Sequence, residues 1–356
     1  MVKTDYRVIG VMSGTSLDGI DLVYVNFKKE KTWLFKIICA ETYSYDEKWR
    51  DKLRSLISYS DYGLREIDTA YTTYLATVIN DFIKKNDIKR LDAICSHGHT
   101  ALHQPHKKIT YQIGNKPELA SLTHHMVVCD FRVQDVALGG QGAPLVPIGD
   151  ELLFSEYDFC LNLGGFANIS TKINGERIAY DICPVNIVLN RYIKTLGFDF
   201  DDQGKIASTG TVNDSLLNEL NKLDFYIASN PKSLGLEWVD KMIIPIIESY
   251  GLEVKDVLRT FVEHIAVQIS KEINKKNNAS ILTSGGGAYN SFLINRLQFL
   301  TNNNLVIPSK EIIEFKEALI FAFLGVLRLR NEVNSLKSVT GAEKDHSSGV
   351  IFHPEK

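Results

Sequence analysis

The chain predicts an α/β protein of two lobes, and three observations carry that reading. Strand-like apolar runs and helical periodicities are interspersed along its length. A strand, a glycine turn and a second strand open the chain and return near residue 158, roughly 150 residues on, as a shared pattern rather than shared identities. Glycine turns at Gly14–Gly19, Gly164–Gly165 and Gly285–Gly287 each follow an apolar strand, where a ligand lying between two lobes can meet bare backbone.

The elements follow in order. Strand patterns cover Arg7–Met12, Leu22–Phe27 and Trp33–Thr42. Helical patterns cover Asp46–Ser58 and Leu64–Lys85, the second with an apolar face through Ile67, Tyr71, Tyr74 and Val78. Strands at Asp92–Ser96 and Met126–Cys129 read as buried. The second half begins with Phe159–Leu163, the Gly164-Gly165 turn and Phe166–Ile173. Asn174-Gly175 then turns into Arg177–Tyr180. Helical stretches at Gly235–Tyr250 and Val254–Lys275 precede a strand at Ser280–Thr283. Helices at Ser291–Leu300 and Ile312–Arg330 close the pattern.

Composition removes several function classes. A net charge of −3 favours neither nucleic acid nor an anionic membrane surface. No apolar run approaches the ~18 residues that span a bilayer. Met1–Asp5 lack the apolar core of a signal peptide. The five cysteines are odd in number and show no C-x-x-C spacing, so they read as reduced thiols of a cytoplasmic protein.

The loop Gly14-Thr15-Ser16-Leu17-Asp18-Gly19-Ile20-Asp21 offers backbone N–H groups, two hydroxyls and two carboxylates. Carboxylates repel phosphate unless a cation shares the site, so a phosphate-plus-metal pocket accounts for the whole set. A tight hairpin with a polar tip is the alternative. There is no P-loop, because the turn joins two strands and no G-x-x-x-x-G-K-[ST] occurs. Gly285-Gly286-Gly287 lies between a strand and a helix; three glycines exceed what a turn needs and favour a ligand against the backbone. Neither a nucleophile elbow nor H-E-x-x-H is present. His97, His99, His103 and His106 crowd one segment, read as a loop of hydrogen-bonding groups rather than a zinc site. Arg132 can clamp a carboxylate, or pair with Asp130 or Asp135. Asp181, at a strand end before Pro184, either points into a cleft or caps a helix.

Taken together and in order, these segments resemble the anhydro-N-acetylmuramic acid kinases. The resemblance runs through Gly10–Asp21, Ser96–Thr100, Gln112–Gly114, Asp130–Arg132, Gly139–Pro147, Leu161–Ile169, Pro231–Ser233, Gly285–Asn290 and Ser338–Ala342. It implies a two-lobed actin-like fold with a cleft between the lobes, divided here at 1–147 and 148–356, with the C-terminal helix free to pack back on the first lobe. It implies ATP and Mg²⁺, with Gly14 through Asp21 and Gly164, Gly165 and Asn168 on the phosphates and Gly285, Gly286 and Gly287 on the adenosine. Asp18 would hold the magnesium and Asp181 would be the catalytic base. His97, Thr100 and Arg132 would stand with Asp181 near the sugar, and the protein would be a homodimer.

The chain departs from the family at Asp181-Ile182-Cys183-Pro184-Val185-Asn186, where Asp-Thr-Gly-Pro-Gly-Asn is usual. It also departs at His99, where Gln is usual, and at Leu234 and Leu236, which replace more polar residues. Two alternatives to the family's activity follow from these changes: a nucleotide- and sugar-binding relative without chemistry, and a kinase of a different sugar.

Overall fold

The computed structural model describes residues 3–14, 17–229 and 231–355. The chain divides into two compact units, Met1–Leu153 together with Phe315–Lys356, and Phe154–Glu314.

The first unit is built on strands β1 (Asp5–Ser13), β2 (Gly19–Lys29), β3 (Trp33–Ser44), β4 (Ala93–Gln104), β5 (Ile109–Ile113) and β6 (Val127–Cys129). The sheet runs, from one edge, through the C-terminal strand Val350–Phe352, β6, β4, β1, β2 and β3, while β5 pairs with β4. β1, β2 and β3 form an antiparallel meander, and β4 and β6 join β1 in parallel. Central strands covered on both faces read as continuous apolar runs, which is why Val8–Met12 shows no alternation.

One face of this sheet, through Ile9, Val11, Ile20, Leu22 and Ile94, packs with Leu64, Tyr71, Leu75, Ile79 and Phe82 of the helix Asp61–Lys85. Ser60 starts that helix, its side chain accepting from the Gly63 N–H. Alternation turns Gly10 to the other face, where the helix Lys310–Leu329 crosses so closely that a Cβ on Gly10 would fall 2.0 Å from Ala318 O. Gly325 of the same helix meets Cys95 of β4 in the same way. A buried ion pair, Lys316 Nζ to Asp150 Oδ1 at 2.7 Å, ties the helix to Pro147–Leu153. Residues 315–356 thus belong to the first unit, whose other segment ends at Leu153 rather than at 147, because the glycines of β1 and the helix itself are shaped for this contact. Gly10→Ala is expected to lower the unfolding free energy by about 1–3 kcal/mol in urea denaturation, since the obstructing atom is backbone and cannot swing away.

The second unit repeats the plan with β7 (Phe159–Leu163), β8 (Phe166–Ile173), β9 (Glu176–Pro184), β10 (Ser280–Ser284) and β11 (Asn304–Val306). Its order is β11-β10-β7-β8-β9. Again three strands form an antiparallel meander, and two join its first strand in parallel. The duplicated strand-rich core and the α/β class are therefore as expected. The helix Val254–Ile273 buries Val257, Leu258, Phe261, Ile265 and Ile269 in the core with Leu161, Leu163, Ile169 and Ile182.

Two local readings change. The strand at Asp92–Ser96 does not give way to a loop of histidines. It runs on as β4 to Gln104, because Gly98 supplies φ +73° and a bulge absorbs the irregularity. The strand Arg177–Tyr180 likewise runs on as β9 to Pro184, with a bulge between Asp181 and Cys183 opposite Asn168 and Ala167.

Candidate active-site residues

In the first unit the candidate phosphate loop leaves β1 at Ser13. The Ser13 hydroxyl sits in a closed buried network: it meets Tyr45 Oη at 2.6 Å and His99 Nδ1 at 2.8 Å, and accepts from Tyr71 Oη at 2.9 Å. The two phenols meet at 2.6 Å. Burial lowers His99 to about 4 and lifts Tyr45 to about 12, so the network is neutral near pH 7. His99, which stands where the resembling family has Gln, thus serves to anchor the end of β1.

Gly14 is half-buried and Asp18 is exposed; Thr15 and Ser16 lie outside the described residues. Leu17 has φ +63°, which turns the chain back toward β2. Gly19 already belongs to β2, and a Cβ there would lie 2.5 Å from Tyr43 O. Its lack of a side chain therefore serves the pairing with β3. Ile20 points into the core and leaves only its backbone for a ligand. Asp21 accepts from Thr42 Oγ1 at 2.6 Å. Among the described residues no three His, Cys, Asp or Glu side chains group as a metal site. One exposed carboxylate suits magnesium all the same, since that ion keeps several waters and takes other ligands from phosphate.

Arg132 is the most informative side chain of this unit. It lies just past β6, where it starts the helix Val133–Ala137. Its Nε–H donates to His97 Nε2 at 2.9 Å and its Nη1–H to Gly142 O at 2.6 Å. His97 is buried, and its Nδ1–H donates to Gly98 O at 2.8 Å. Both ring nitrogens are thereby committed in one neutral tautomer. Burial and the neighbouring guanidinium hold His97 well below the usual imidazole range. No carboxylate among the described residues forms an ion pair with Arg132, and desolvation lowers the guanidinium to about 10. A desolvated cation held only by neutral acceptors keeps donors and charge in reserve for an anion. The ion pairs with Asp130 or Asp135 weighed from the sequence are not formed.

Thr100 is half-buried on β4, opposite Gln112 of β5. His103 and His106 are exposed. Glu317 was not singled out from the sequence. Desolvation raises its carboxyl; the Arg132 charge opposes the shift and Asp21 adds to it, which places each of these two within electrostatic reach of Glu317. Its only sequence signal is a lone acid in the apolar run Ala318–Leu324 and its flank.

In the second unit the turn between β7 and β8 is gripped from one side. Val185 and Ile187 donate their N–H groups to Gly165 O at 2.8 and 3.2 Å, and Asn186 donates to Gly164 O at 3.3 Å. The start of the helix Asn186–Lys194 thus fixes the turn. On the other side the turn is open. Neither glycine has positive φ, and a Cβ on Gly165 would meet nothing nearer than Ile187 Cβ at 3.8 Å. Backbone conformation and packing both leave that glycine unexplained, and its backbone is open to close approach.

The Gly285-Gly286-Gly287 turn is different. Gly285 has φ +81°, and its Cβ would lie 2.5 Å from Asn162 Oδ1; a Cβ on Gly287 would lie 2.7 Å from Leu163 Cβ. Two of the three glycines are therefore required by the turn, which corrects the argument that three exceed its needs. Of the three, only Gly286 is uncrowded: a Cβ there would meet nothing nearer than Asn186 Nδ2 at 4.0 Å.

Asp181 is half-buried on β9, across from Asn168 of β8. The bulge that follows it re-aims side chains at this point of the strand. The helix begins at Asn186 and Val185 occupies its cap position, so Asp181 caps nothing. Instead the segment 231–234 runs along the outer edge of β9: Asp181 N–H donates to Lys232 O at 2.9 Å, and Leu234 N–H donates to Asp181 Oδ2 at 2.8 Å. Lys232 Nζ in turn donates to Phe225 O at 2.9 Å and stands 4.6 Å above the Phe225 ring. Burial raises the Asp181 carboxyl above its usual range, while the Leu234 N–H and the Ser233 hydroxyl hold it back. A half-buried carboxylate with a raised affinity for protons has the properties of a general base.

Two of the departures from the family pattern are absorbed by the fold. Cys183 and Val185 are fully buried in the core of this unit, and neither has positive φ. The backbone at these positions needs no glycine, and both side chains are taken up by the core.

A family model described as anhydro-N-acetylmuramic acid kinase matches residues 6–354. The anhydro-N-acetylmuramic acid kinase of Haemophilus influenzae is 34% identical over 374 residues, covering 97% of each chain. That of Mannheimia succiniciproducens is 35% identical over 378 residues, covering 99% of this chain and all of the other. Among solved structures, an activator of 2-hydroxyisocaproyl-CoA dehydratase from Clostridium difficile with bound ADPNP aligns with a TM-score of 0.43 at 14% identity, covering 89% of this chain and 92% of the other.

Proposed function

The chain belongs to the anhydro-N-acetylmuramic acid kinase family, and from that footing we propose that it is an ATP-dependent kinase of 1,6-anhydro-N-acetylmuramic acid. Water opens the anhydro ring at C1, and O6 takes the γ-phosphoryl group of ATP. The products are N-acetylmuramic acid 6-phosphate and ADP, in the recycling of cell-wall sugar. The two events assist each other. Breaking the C1–O6 bond leaves O6 as a developing alkoxide, a strong nucleophile toward phosphorus.

Asp181 is the general base that takes the proton of the attacking water. Its half-buried place on β9, with Oδ2 held by the Leu234 N–H and no helix to cap, supports this assignment most directly. Arg132 pairs with the lactyl carboxylate of the sugar, with His97 behind it and Thr100 beside the ring. Gly14 through Asp21 and Gly164, Gly165 and Asn168 meet the phosphates; Gly285 through Gly287 meet the adenosine. Asp18 would hold Mg²⁺ through water, where the ion would supply positive charge against the phosphates. No described helix is long and apolar enough to cross a membrane. The cytoplasm is the proposed compartment, and a homodimer is proposed on the family resemblance alone.

ADP release measured with and without the anhydro sugar tests the assignment. Turnover should depend on the sugar, and turnover that ignores it removes the proposal. The burial of Cys183 and Val185 takes away the sequence feature that favoured a relative without chemistry. Arg132→Ala should raise KM for the sugar more than it lowers kcat, because a carboxylate remote from C1 is held equally in ground and transition states. A roughly tenfold or greater rise in KM is the size expected for a lost charge-assisted contact.

A further inference from the structure

Two stretches of the chain, Gly139–Pro147 and Ser338–Ala342, have no role in the chemistry above, and a buried carboxylate joins them. Asp135 has no exposed surface. Its Oδ2 accepts from Gly142 N–H at 2.7 Å; its Oδ1 accepts from Ser335 Oγ at 2.9 Å and Thr340 Oγ1 at 2.7 Å. His346 Nε2 stands 3.5 Å from the same Oδ1. Backbone bonds reinforce the junction: Gln141 N–H donates to Thr340 O at 2.8 Å, and Glu343 N–H to Leu138 O at 3.0 Å. Gly140 is required here, since a Cβ would lie 2.2 Å from Asp135 Oδ2.

The peptide groups of Gly142 make the link to the site. Its N–H is taken by Asp135 and its carbonyl by Arg132, three residues earlier on the same turn of chain. We propose that Asp135 is a positioning residue for Arg132: it grips the Gly142 loop from one side so that the Gly142 carbonyl and His97 aim the guanidinium, while Ser335 and Thr340 hold Asp135 in place. The arrangement also settles an electrostatic need. Glu317 and, after it, Asp135 favour the Arg132 charge, and neither forms an ion pair with it, so counter-charge is present while the guanidinium keeps donors for a ligand. The ligand class is a carboxylate, and the proposal rests on the reading of Arg132 as the partner of the lactyl group.

Thr340→Val keeps shape and removes the hydroxyl donor; Thr340→Ser restores it. Sugar affinity is read as KM and as calorimetric binding of the anhydro sugar. Thr340→Val should weaken it roughly three- to tenfold, the transmitted part of one lost hydrogen bond to a charged group, and leave KM for ATP unchanged. Thr340→Ser should return it to within about twofold of the starting protein. In an Arg132→Ala background the Thr340→Val effect should vanish, because the two act in one chain. Asp135→Asn, whose amide keeps one acceptor oxygen for the three donors that Asp135 now accepts, should repeat the loss. A Thr340→Val protein with lower thermal stability but unchanged sugar affinity would overturn the proposal, as would an effect that simply multiplies with Arg132→Ala. If Arg132→Ala alone leaves sugar affinity unchanged, the reading of Arg132 fails instead.

Discussion

Asp181→Asn is expected to lower kcat by roughly two to four orders of magnitude while the protein stays folded, because Asn cannot take the proton from water. The structure makes this a clean substitution. Asn offers one carbonyl oxygen that can accept the Leu234 N–H in place of Oδ2, and the backbone bond to Lys232 O is untouched. Capping no longer competes as an explanation, since the nearest helix begins five residues later at Asn186. Thermal stability and ATP affinity should both stay near the starting values.

The pH dependence gives a second readout of the same group. A general base works when deprotonated. Burial raises the Asp181 carboxyl above the ordinary 3.8. kcat/KM should therefore fall as the pH drops through that raised value, and the acid limb should move or disappear in Asp181→Asn. A folded variant with near-normal turnover and an unchanged acid limb would remove Asp181 from the mechanism.

The two cores were legible in the sequence because buried strands and amphipathic helices leave local patterns. The duplication was legible for the same reason: Val8–Met12 and Phe159–Leu163 are apolar runs that each meet a glycine turn. Long-range geometry was not. Nothing near Gly10 says that a helix three hundred residues away will lie against it, and only that contact explains the glycine and the return of residues 315–356 to the first unit. The histidines were placed in a loop because Gly98 and polar neighbours imitate one, while a single positive φ lets β4 continue.

The site divides along the same line. Residue type and setting left Asp181 and Arg132 with two readings each, and the resemblance alone chose between them. What holds them was not legible, because Leu234 and Gly142 act through backbone groups, and His97, though named with Arg132, acts through a fixed tautomer that no spacing encodes. Glycine was the least legible residue of all. Gly10, Gly19, Gly140, Gly285 and Gly287 are small for reasons of backbone and packing, whereas Gly165 and Gly286 are not.

That contrast turns a glycine into a test of nucleotide binding. Gly165→Val should weaken ATP binding on the order of tenfold or more, because a branched side chain would stand where phosphate oxygens approach the backbone. The fold should accept it. The first added atom meets only Ile187 Cβ at 3.8 Å, an ordinary contact, and the backbone at this position is open to any residue. The loss of unfolding free energy should stay within about 1 kcal/mol, as for a substitution that crowds nothing. Gly287→Ala is the opposing control: its Cβ would press on Leu163 at 2.7 Å, so it should cost stability through packing. ATP affinity unchanged in a folded Gly165→Val protein would count against the β7–β8 turn as a phosphate loop. Affinity lost in step with stability would mean that the turn matters only as structure. Affinity lost with stability intact is the outcome that an open, unexplained glycine at the tip of a strand pair leads one to expect.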